Sequence, residues 1–334
     1  MTPLVSIVIP NRNRADLVVE ALESLRAQTF PDWEALVVDD GSTDESVAAV
    51  EAVSRQDPRI QSHRRQGEPG GNTCRNEGWK GSRGNWLMFL DSDDLLSPGC
   101  LEGRLRAMEG RADLDFGVFP HDRFLKQPGD SNRPFHIPRS DDYVSNFLAF
   151  DTPWQTCGPI WRRSSLDRLE PWDPGLKRCQ DLDFHVRAIL VGLKFEIFPG
   201  PRFWCREGNF GNSVCRVPQG PDTFEPRERM LGRTCELLDR TGQWTPRRRS
   251  MIARLHFILA DLWASHGNRD RARMIWNAAL ERRVVSRQFH LEGCLFFAVY
   301  GAPLAQRAIR FLERMVRPYE TSHEVPVQLI RLPG

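Results

Sequence analysis

Residues 86–94 read Trp-Leu-Met-Phe-Leu-Asp-Ser-Asp-Asp, in which five apolar side chains precede four polar ones. The apolar run has the length of a buried β-strand, and the acidic turn marks its end. Two similar transitions come earlier, where Val5–Ile9 runs into Pro10 and Ala35–Val38 runs into Asp39. Apolar residues at helical spacing separate these strands. The pattern predicts an α/β fold with a mostly parallel sheet flanked by helices.

Polar clusters stand at the ends of three predicted strands, at 10–13, 39–42 and 91–94. Because ligands of a parallel sheet bind beyond the carboxyl ends of its strands, we expect one site at this rim. Neither a Gly-x-Gly-x-x-Gly turn nor a P-loop occurs at these positions, which argues against a dinucleotide site. Two carboxylates one residue apart, Asp91 and Asp93, suit Mg²⁺ or Mn²⁺. Taken alone, each cluster also fits a capped turn.

Composition narrows the class of protein. The chain has 334 residues, 40% hydrophobic and 27% charged, which is typical of a globular protein of about two domains. A formal net charge of +2 argues against a nucleic-acid partner. No apolar run approaches the ~18–20 residues that span a bilayer.

The eight cysteines form no Cys-x-x-Cys pair, so the sequence favours neither a zinc ribbon nor a redox motif. The N-terminus shows no basic stretch followed by an apolar one, and we expect no signal peptide. Reduced thiols in a chain without a leader predict a cytoplasmic protein.

Four ordered motifs occupy the first 94 residues: Val-Ser-Ile-Val-Ile-Pro-Asn-Arg-Asn at 5–13, Val-Val-Asp-Asp-Gly-Ser-Thr-Asp at 37–44, Arg-Asn-Glu-Gly at 75–78 and Phe-Leu-Asp-Ser-Asp-Asp at 89–94. Together they resemble the family 2 glycosyltransferases, which have the GT-A fold. A weaker match continues to near residue 215. The resemblance predicts a GT-A nucleotide-sugar-binding catalytic domain at 1–220 and a helical C-terminal extension at 221–334.

The resemblance implies transfer of a sugar from a nucleoside diphosphate donor, with inversion at the anomeric carbon. UDP is the default donor nucleotide, and the expected acceptor is a hydroxyl of a glycan or lipid-linked glycan at the cytoplasmic face. By the same likeness, Pro10 and Arg12 line the nucleotide cleft and Asp39 contacts the nucleobase. Arg75 reaches the ribose or the diphosphate.

The resemblance also implies that Asp91 and Asp93 hold a divalent cation, Mn²⁺ or Mg²⁺, with the diphosphate of the donor. Asp91 contributes to the donor site as well, and Asp94 orients the donor sugar. A cation that neutralises the leaving diphosphate makes a dedicated general acid unnecessary. A carboxylate must still accept the proton of the attacking hydroxyl.

The candidate for this general base is Asp181, in the stretch Cys-Gln-Asp-Leu-Asp-Phe at 179–184. Asp181 matches the base of the family, whereas Gln180 replaces the usual Glu. Asp183 is the lesser candidate, since two residues further along a helix it points away. Asp181 also fits a helix N-cap or a first-turn acid.

A second departure follows Arg206, where many relatives place a histidine and this chain has none within 204–209. This absence and Gln180 keep an alternative open, a degenerate module that binds nucleotide sugar or a partner without catalysis. A nucleotidyltransferase is the third hypothesis. It would need a phosphate loop near the first strand, which 10–13 does not provide.

From residue 222 onward the pattern is helical and rich in arginine, including 247–249 and the stretch 269–287. A solvated helix face explains this charge. Peripheral docking to anionic lipid at the inner face of the membrane is the sharper prediction, at about 1 kcal/mol per well-placed basic residue.

Overall fold

A computed structural model describes residues 3–131, 140–207 and 220–298, and within these ranges it contains a seven-stranded and a three-stranded sheet. Gly208 and Asn209 lie outside the described residues. The strands are β1 (Val5–Asn11), β2 (Trp33–Asp39), β3 (Ile60–Arg64), β4 (Trp86–Phe89), β5 (Leu95–Leu96), β6 (Phe116–Val118), β7 (His121–Phe124), β8 (Pro159–Arg162), β9 (Phe195–Ile197) and β10 (Phe203–Arg206).

The large sheet has the strand order β3-β2-β1-β4-β8-β6-β9. β1 pairs in parallel with β2 and β4, β3 continues this direction beside β2, and β8 runs antiparallel to both β4 and β6. The carboxyl ends of β2, β1 and β4 therefore meet at one edge. The mostly parallel sheet predicted from the sequence is confirmed.

Helices cover the sheet in the first of two compact units, Met1–Trp244. The helices of this unit are α1 (Ala15–Arg26), α2 (Ser46–Gln56), α3 (Gly71–Gly81), α4 (Cys100–Met108), α5 (Tyr143–Leu148), α6 (Arg163–Leu166), α7 (Gln180–Leu190) and α8 (Pro221–Thr241). α8 packs against α7, so it belongs to the unit that carries the sheet. The functional division at residue 220 stays a prediction.

The second unit, Thr245–Gly334, is helical throughout its described part. It contains α9 (Pro246–Ser265), α10 (Arg269–Glu281) and α11 (Arg287–Ala298). Trp276 on α10 is fully buried, and its indole N–H donates to the carbonyl of His290 on α11 at 2.9 Å. None of the helices in the described ranges combines the length and the apolar character that a bilayer span requires.

β1 extends beyond the predicted end at Pro10 and includes Asn11. Proline lacks the N–H that a sheet ladder uses. β4 pairs with β1 only as far as Val8, so a residue without a donor leaves no gap in that ladder. The polar residues of the first cluster therefore begin inside the strand and are held in sheet register.

An aromatic cluster fixes α7, the helix that begins with Gln180 and Asp181. Phe184 stacks on Trp172 with ring centroids 3.9 Å apart, and His185 lies parallel to Trp161 at 6.0 Å. All four rings are buried. Rigid aromatic packing of this kind limits how far the start of the helix can move.

Candidate active site

The first part of the site is the adjacent ends of β1 and β2. Asn11 lies beside Asp39 in the parallel register, and Asp39 is 2% exposed. Its carboxylate accepts hydrogen bonds from the backbone N–H and the hydroxyl of Ser42 and from the Asn11 amide. Pro10 is half-buried at this edge, and Arg12 is exposed immediately beyond β1.

The two loops that follow these strands are bonded to each other. The side-chain oxygen of Asn13 accepts from the Thr43 N–H at 2.7 Å, and the hydroxyl of Ser42 accepts from the Asn13 N–H at 2.9 Å. Both residues belong to polar clusters that, taken alone, also fit capped turns, but neither of them caps a helix. Asn13 does not cap α1, which begins after Arg14, and Ser42 does not open a capping box for α2, which begins after Glu45. Both side chains are used between the loops instead.

The acidic loop that follows β4, residues 91–94, is the second part of the site. Arg75 on α3 donates to Asp91 at 2.7 Å, and Arg14 pairs with Asp93 at 2.8 Å. Both carboxylates stay partly exposed beside these arginines, Asp91 at 37% and Asp93 at 18% of the side-chain surface. Both can therefore still reach a further cation.

Asp94 faces the interior. One oxygen accepts from the Arg206 N–H at 3.0 Å and the other from the Cys157 thiol at 3.3 Å. Arg206 also donates from its side chain to the Asp93 carbonyl at 3.0 Å and lies over the Phe124 ring. These contacts fix the backbone of the acidic loop from below. They leave Asp94 4% exposed, so it reaches the rim less freely than Asp91 does.

The charge of this loop fits a divalent cation. Burial and the neighbouring aspartates raise the pKa of Asp94 well above its usual range. Burial raises the pKa of Asp93 too, and the Asp91 charge adds to this while Arg14 opposes it. Oxygens of Asp91 and Asp94 lie within 4.8 Å of each other and of the Cys157 sulfur. Hard oxygen donors with excess negative charge suit Mg²⁺ or Mn²⁺.

Asp181 lies at the start of α7 and faces the same arginine as Asp91. Burial raises the pKa of Asp181 to about 6, and the nearby Asp91 charge adds to the rise. A hydrogen bond from the Thr156 hydroxyl and the charge of Arg75 act in the opposite direction. Burial disfavours the charge of Arg75, but Asp91 and Asp181 outweigh this effect and its pKa is raised. Asp91 and Asp181 thus lie beside the same buried guanidinium group, that of Arg75.

Asp183, the lesser candidate for the base, has a different environment. It is 2% exposed and accepts two hydrogen bonds from Arg187 and one from Arg233. His185, another residue near the base, is enclosed by aromatic rings, and burial lowers its pKa to about 3. It is neutral at physiological pH and fits a core residue. It does not stand in for the missing histidine after Arg206.

Three residues that contact the predicted site were not singled out from the sequence, namely Arg14, Thr156 and Cys157. Trp172 lies there too, with its ring 5.2 Å from the Arg75 guanidinium carbon. Arg14 directly follows the first motif, and this position in the sequence already indicates that it lies near the site. Thr156 and Cys157 lie in a stretch without any motif, and only the fold brings them to the acidic side chains.

Comparison with known proteins identifies a family that part of the chain resembles. Residues 6–164 match the model of glycosyl transferase family 2. The chain is 27% identical over 230 residues to the uncharacterized glycosyltransferase EpsJ of Bacillus subtilis. This alignment covers 66% of this chain and 65% of EpsJ. It is 34% identical over 193 residues to the putative glycosyltransferase EpsH of the same organism, 56% of each chain. It spans less than a fifth of two Rickettsia glycosyltransferases that it also matches.

The fold has a counterpart among solved structures. A crystal structure of S. aureus TarS 1-349 in complex with UDP-GlcNAc aligns with a TM-score of 0.65 at 18% identity, covering 95% of this chain and 90% of that one. This likeness and the strand order confirm the GT-A fold predicted from the sequence. The four motifs of the sequence analysis lie almost wholly within the matched segment. The resemblance to the family 2 glycosyltransferases that the motifs predict is therefore confirmed over residues 6–164.

Proposed function

We propose that this chain is an inverting, metal-dependent glycosyltransferase that moves a sugar from a nucleoside diphosphate donor to an acceptor hydroxyl. The observation that carries the proposal is the environment of Asp181, a carboxylate with a pKa of about 6 that shares Arg75 with the acidic loop 91–94. A base of this pKa is ionised at neutral pH and still has affinity for a proton. The acceptor is a glycan or a lipid-linked glycan.

The donor site follows the rim of the sheet. Pro10, Arg12 and Asp39 line the nucleotide end, and Arg75 contacts the ribose or the diphosphate. Asp91 and Asp93 hold Mn²⁺ or Mg²⁺, with Asp94 fixing the loop and orienting the donor sugar. The cation, when bound, neutralises charge that develops on the leaving diphosphate. UDP-sugars are the first donors to test, because TarS, which shares the fold, was solved with UDP-GlcNAc.

The chain's own residues supply the remaining chemistry. Asp181 accepts the proton as the acceptor oxygen attacks the anomeric carbon, and the bond to the diphosphate breaks on the opposite side. One displacement of this kind inverts the anomeric centre. Thr156 orients the Asp181 carboxylate through its hydroxyl, and Arg75 keeps positive charge beside both carboxylates.

The test is a thermal-shift screen with UDP, UDP-GlcNAc, UDP-glucose and GDP-mannose, each with Mn²⁺. A ligand that binds only the folded state raises stability by RT ln(1+[L]/Kd), so the donor class is the one with the largest shift. Release of nucleoside diphosphate from the best donor, with water as acceptor, is then measured with Mn²⁺ and with chelator. We expect nucleoside diphosphate to be released with Mn²⁺ and not with chelator. If none of the donors releases nucleoside diphosphate, the proposal that this chain is an enzyme is refuted.

Two observations favour a second candidate, a module that binds nucleotide sugar without transferring it. Gln180 stands where the family usually has Glu, and no histidine follows Arg206 within 204–209. This candidate predicts a thermal shift with a donor but no nucleoside diphosphate in the same sample. The two readouts of the screen therefore distinguish the two functions.

We also propose that the second unit docks on anionic lipid. Residues 245–298 contain ten arginines and four acidic residues, so this part of the unit carries a formal charge of +6. On α11, Leu291 is 63% and Leu295 68% exposed, and they lie on one helix face with the exposed Arg287. Met274 on the adjoining α10 is also exposed. Apolar side chains among basic ones are typical of a helix that lies on a membrane surface.

Vesicle sedimentation tests the docking. The full chain should sediment with vesicles of phosphatidylcholine and phosphatidylglycerol and stay in solution with phosphatidylcholine alone. Changing both Leu291 and Leu295 to Ser should abolish sedimentation, whereas Leu125→Ser, at a side chain 53% exposed in the first unit, should not. Equal sedimentation of the α11 double variant and the wild type would refute the proposal.

A further inference from the structure

An ion-pair cluster around the buried carboxylate of Asp183 links α8 to the start of α7. Arg233 on α8 reaches Asp173 at 2.8 Å with one terminal nitrogen and Asp183 at 2.9 Å with the other. Asp183 is 2% exposed and also accepts hydrogen bonds from Nε and from a terminal nitrogen of Arg187. A carboxylate held by two guanidinium groups in a buried setting has one preferred geometry. Arg233 thus fixes two different segments with respect to each other.

The first of these segments is the first turn of α7. Asp183 belongs to the same turn as Asp181, on the opposite side of the helix. Arg187 ties this turn to the preceding loop, because its guanidinium also donates to the carbonyls of Glu170 and Pro171 at 2.6 and 3.0 Å. The direction of the Asp181 side chain therefore depends on contacts that Asp183 makes behind it.

The second segment is the loop 172–176, which is bonded to α3. Asn76 exchanges two hydrogen bonds with the backbone of Trp172, at 2.8 and 2.9 Å. Asn72 donates to the backbone carbonyls of Asp173 and Leu176 at 2.8 and 3.0 Å, and its side-chain oxygen accepts from Arg75 at 3.0 Å. Arg233 therefore contacts this loop through Asp173, and the loop is linked to Arg75 through Asn72.

α8 also packs closely on this loop. A Cβ placed on Gly175 would lie 2.8 Å from the Arg229 guanidinium and 3.7 Å from the ring of Pro226, both on α8. Lys177 pairs with Asp222 at the start of the helix, at 3.2 Å. The helix follows the segment 6–164 that matches the family, so these contacts come from a part of the chain that the family model does not describe.

We propose that Arg233 is a positioning residue of the transfer reaction, which through Asp183 and Asp173 sets the relative position of Asp181 and Arg75. The inference rests on the proposed function. Arg233 touches neither donor nor acceptor, and it acts on the distance between the base and the residue beside the diphosphate. A displacement of about 1 Å at reacting groups lowers rates by about a hundredfold.

The test compares Arg233→Met with Arg240→Met, an exposed arginine on the same helix. Release of nucleoside diphosphate is measured at a temperature well below the unfolding transition of each variant. We expect Arg233→Met to lower kcat by about 10- to 100-fold with little change in the donor KM. Arg240→Met should behave as wild type, and Arg233→Lys, which keeps the charge but not the fork, should recover part of the rate.

A double-mutant cycle separates positioning from general damage. If Arg233 acts through the base, adding Arg233→Met to Asp181→Asn should lower the residual rate by less than threefold, because the base is already lost. A full, additive loss in that background would overturn the proposal, as would wild-type kcat in Arg233→Met. If the wild type releases no nucleoside diphosphate, the proposed function fails instead, and the two failures are distinguishable.

Discussion

The sequence Asp-x-Asp occurs twice at the proposed site, once in the loop 91–93 and once at the start of α7, at 181–183. In the loop, both carboxylates have an arginine partner and both stay partly exposed. On the helix, Asp181 faces Thr156 and the Arg75 charge, whereas Asp183 is buried behind it between Arg187 and Arg233. Two aspartates with the same spacing therefore differ in environment on the helix, where side chains two residues apart point in different directions, and have similar environments on the loop.

The largest effect should come from Asp181. Asp181→Asn removes the proposed proton acceptor while keeping the size of the side chain, so kcat should fall by about 10²–10⁴ with donor affinity preserved. Release of nucleoside diphosphate and calorimetric donor binding measure the two quantities. Asp167→Asn, an exposed carboxylate, is the matched control. A kcat near that of the wild type would remove Asp181 as base and leave Asp183 to be tested.

The loop carboxylates should instead govern donor affinity. Asp93→Ala removes an oxygen donor for the cation and frees Arg14, so donor binding should no longer respond to Mn²⁺. Calorimetry with and without Mn²⁺ measures this response, and Asp113→Ala, at an exposed surface pair, is the control. An unchanged metal-dependent gain in affinity would contradict the metal role of Asp93.

Asp183 should matter for stability. Asp183→Asn leaves Arg187 and Arg233 without their shared carboxylate, and breaking a buried pair typically costs about 3–5 kcal/mol of unfolding free energy. Urea unfolding followed by fluorescence measures the loss. A change below about 1 kcal/mol would show that the cluster does not hold the first turn of α7.

The smallest expected effect is on thermal stability, and its sign differs between the two carboxylates of α7. Asp183→Asn should destabilise the fold, whereas Asp181→Asn should stabilise it. The pKa of Asp181 is raised from 3.8 to about 6, so its ionisation destabilises the fold increasingly as pH rises from about 4 to about 6. Asp181→Asn removes this cost and should raise Tm by about 2–4 °C at pH 8 but not at pH 4. Thermal scans at both pH values measure it. A lower Tm for the variant at pH 8 would contradict the burial of an ionised Asp181.

The strands and the acidic rim were predictable from the sequence, because parallel strands are continuous apolar runs and their ends are polar, as at 86–94. The roles of Asn13 and Ser42 were not, since each fits a local cap and only the sheet register brings the two loops together. Thr156, Cys157 and Arg233 lie far along the chain from the side chains they contact. Local patterns carry no signal for such pairs.

The most direct measurement is the pH dependence of nucleoside diphosphate release by the wild type and Asp181→Asn, at saturating donor and Mn²⁺, from pH 5 to 9. The wild-type kcat should rise with pH to a plateau, with an apparent pKa near 6, because the carboxylate must lose its proton to act. The variant should show a low rate without this rise. An acidic limb that persists unchanged in Asp181→Asn would contradict the account.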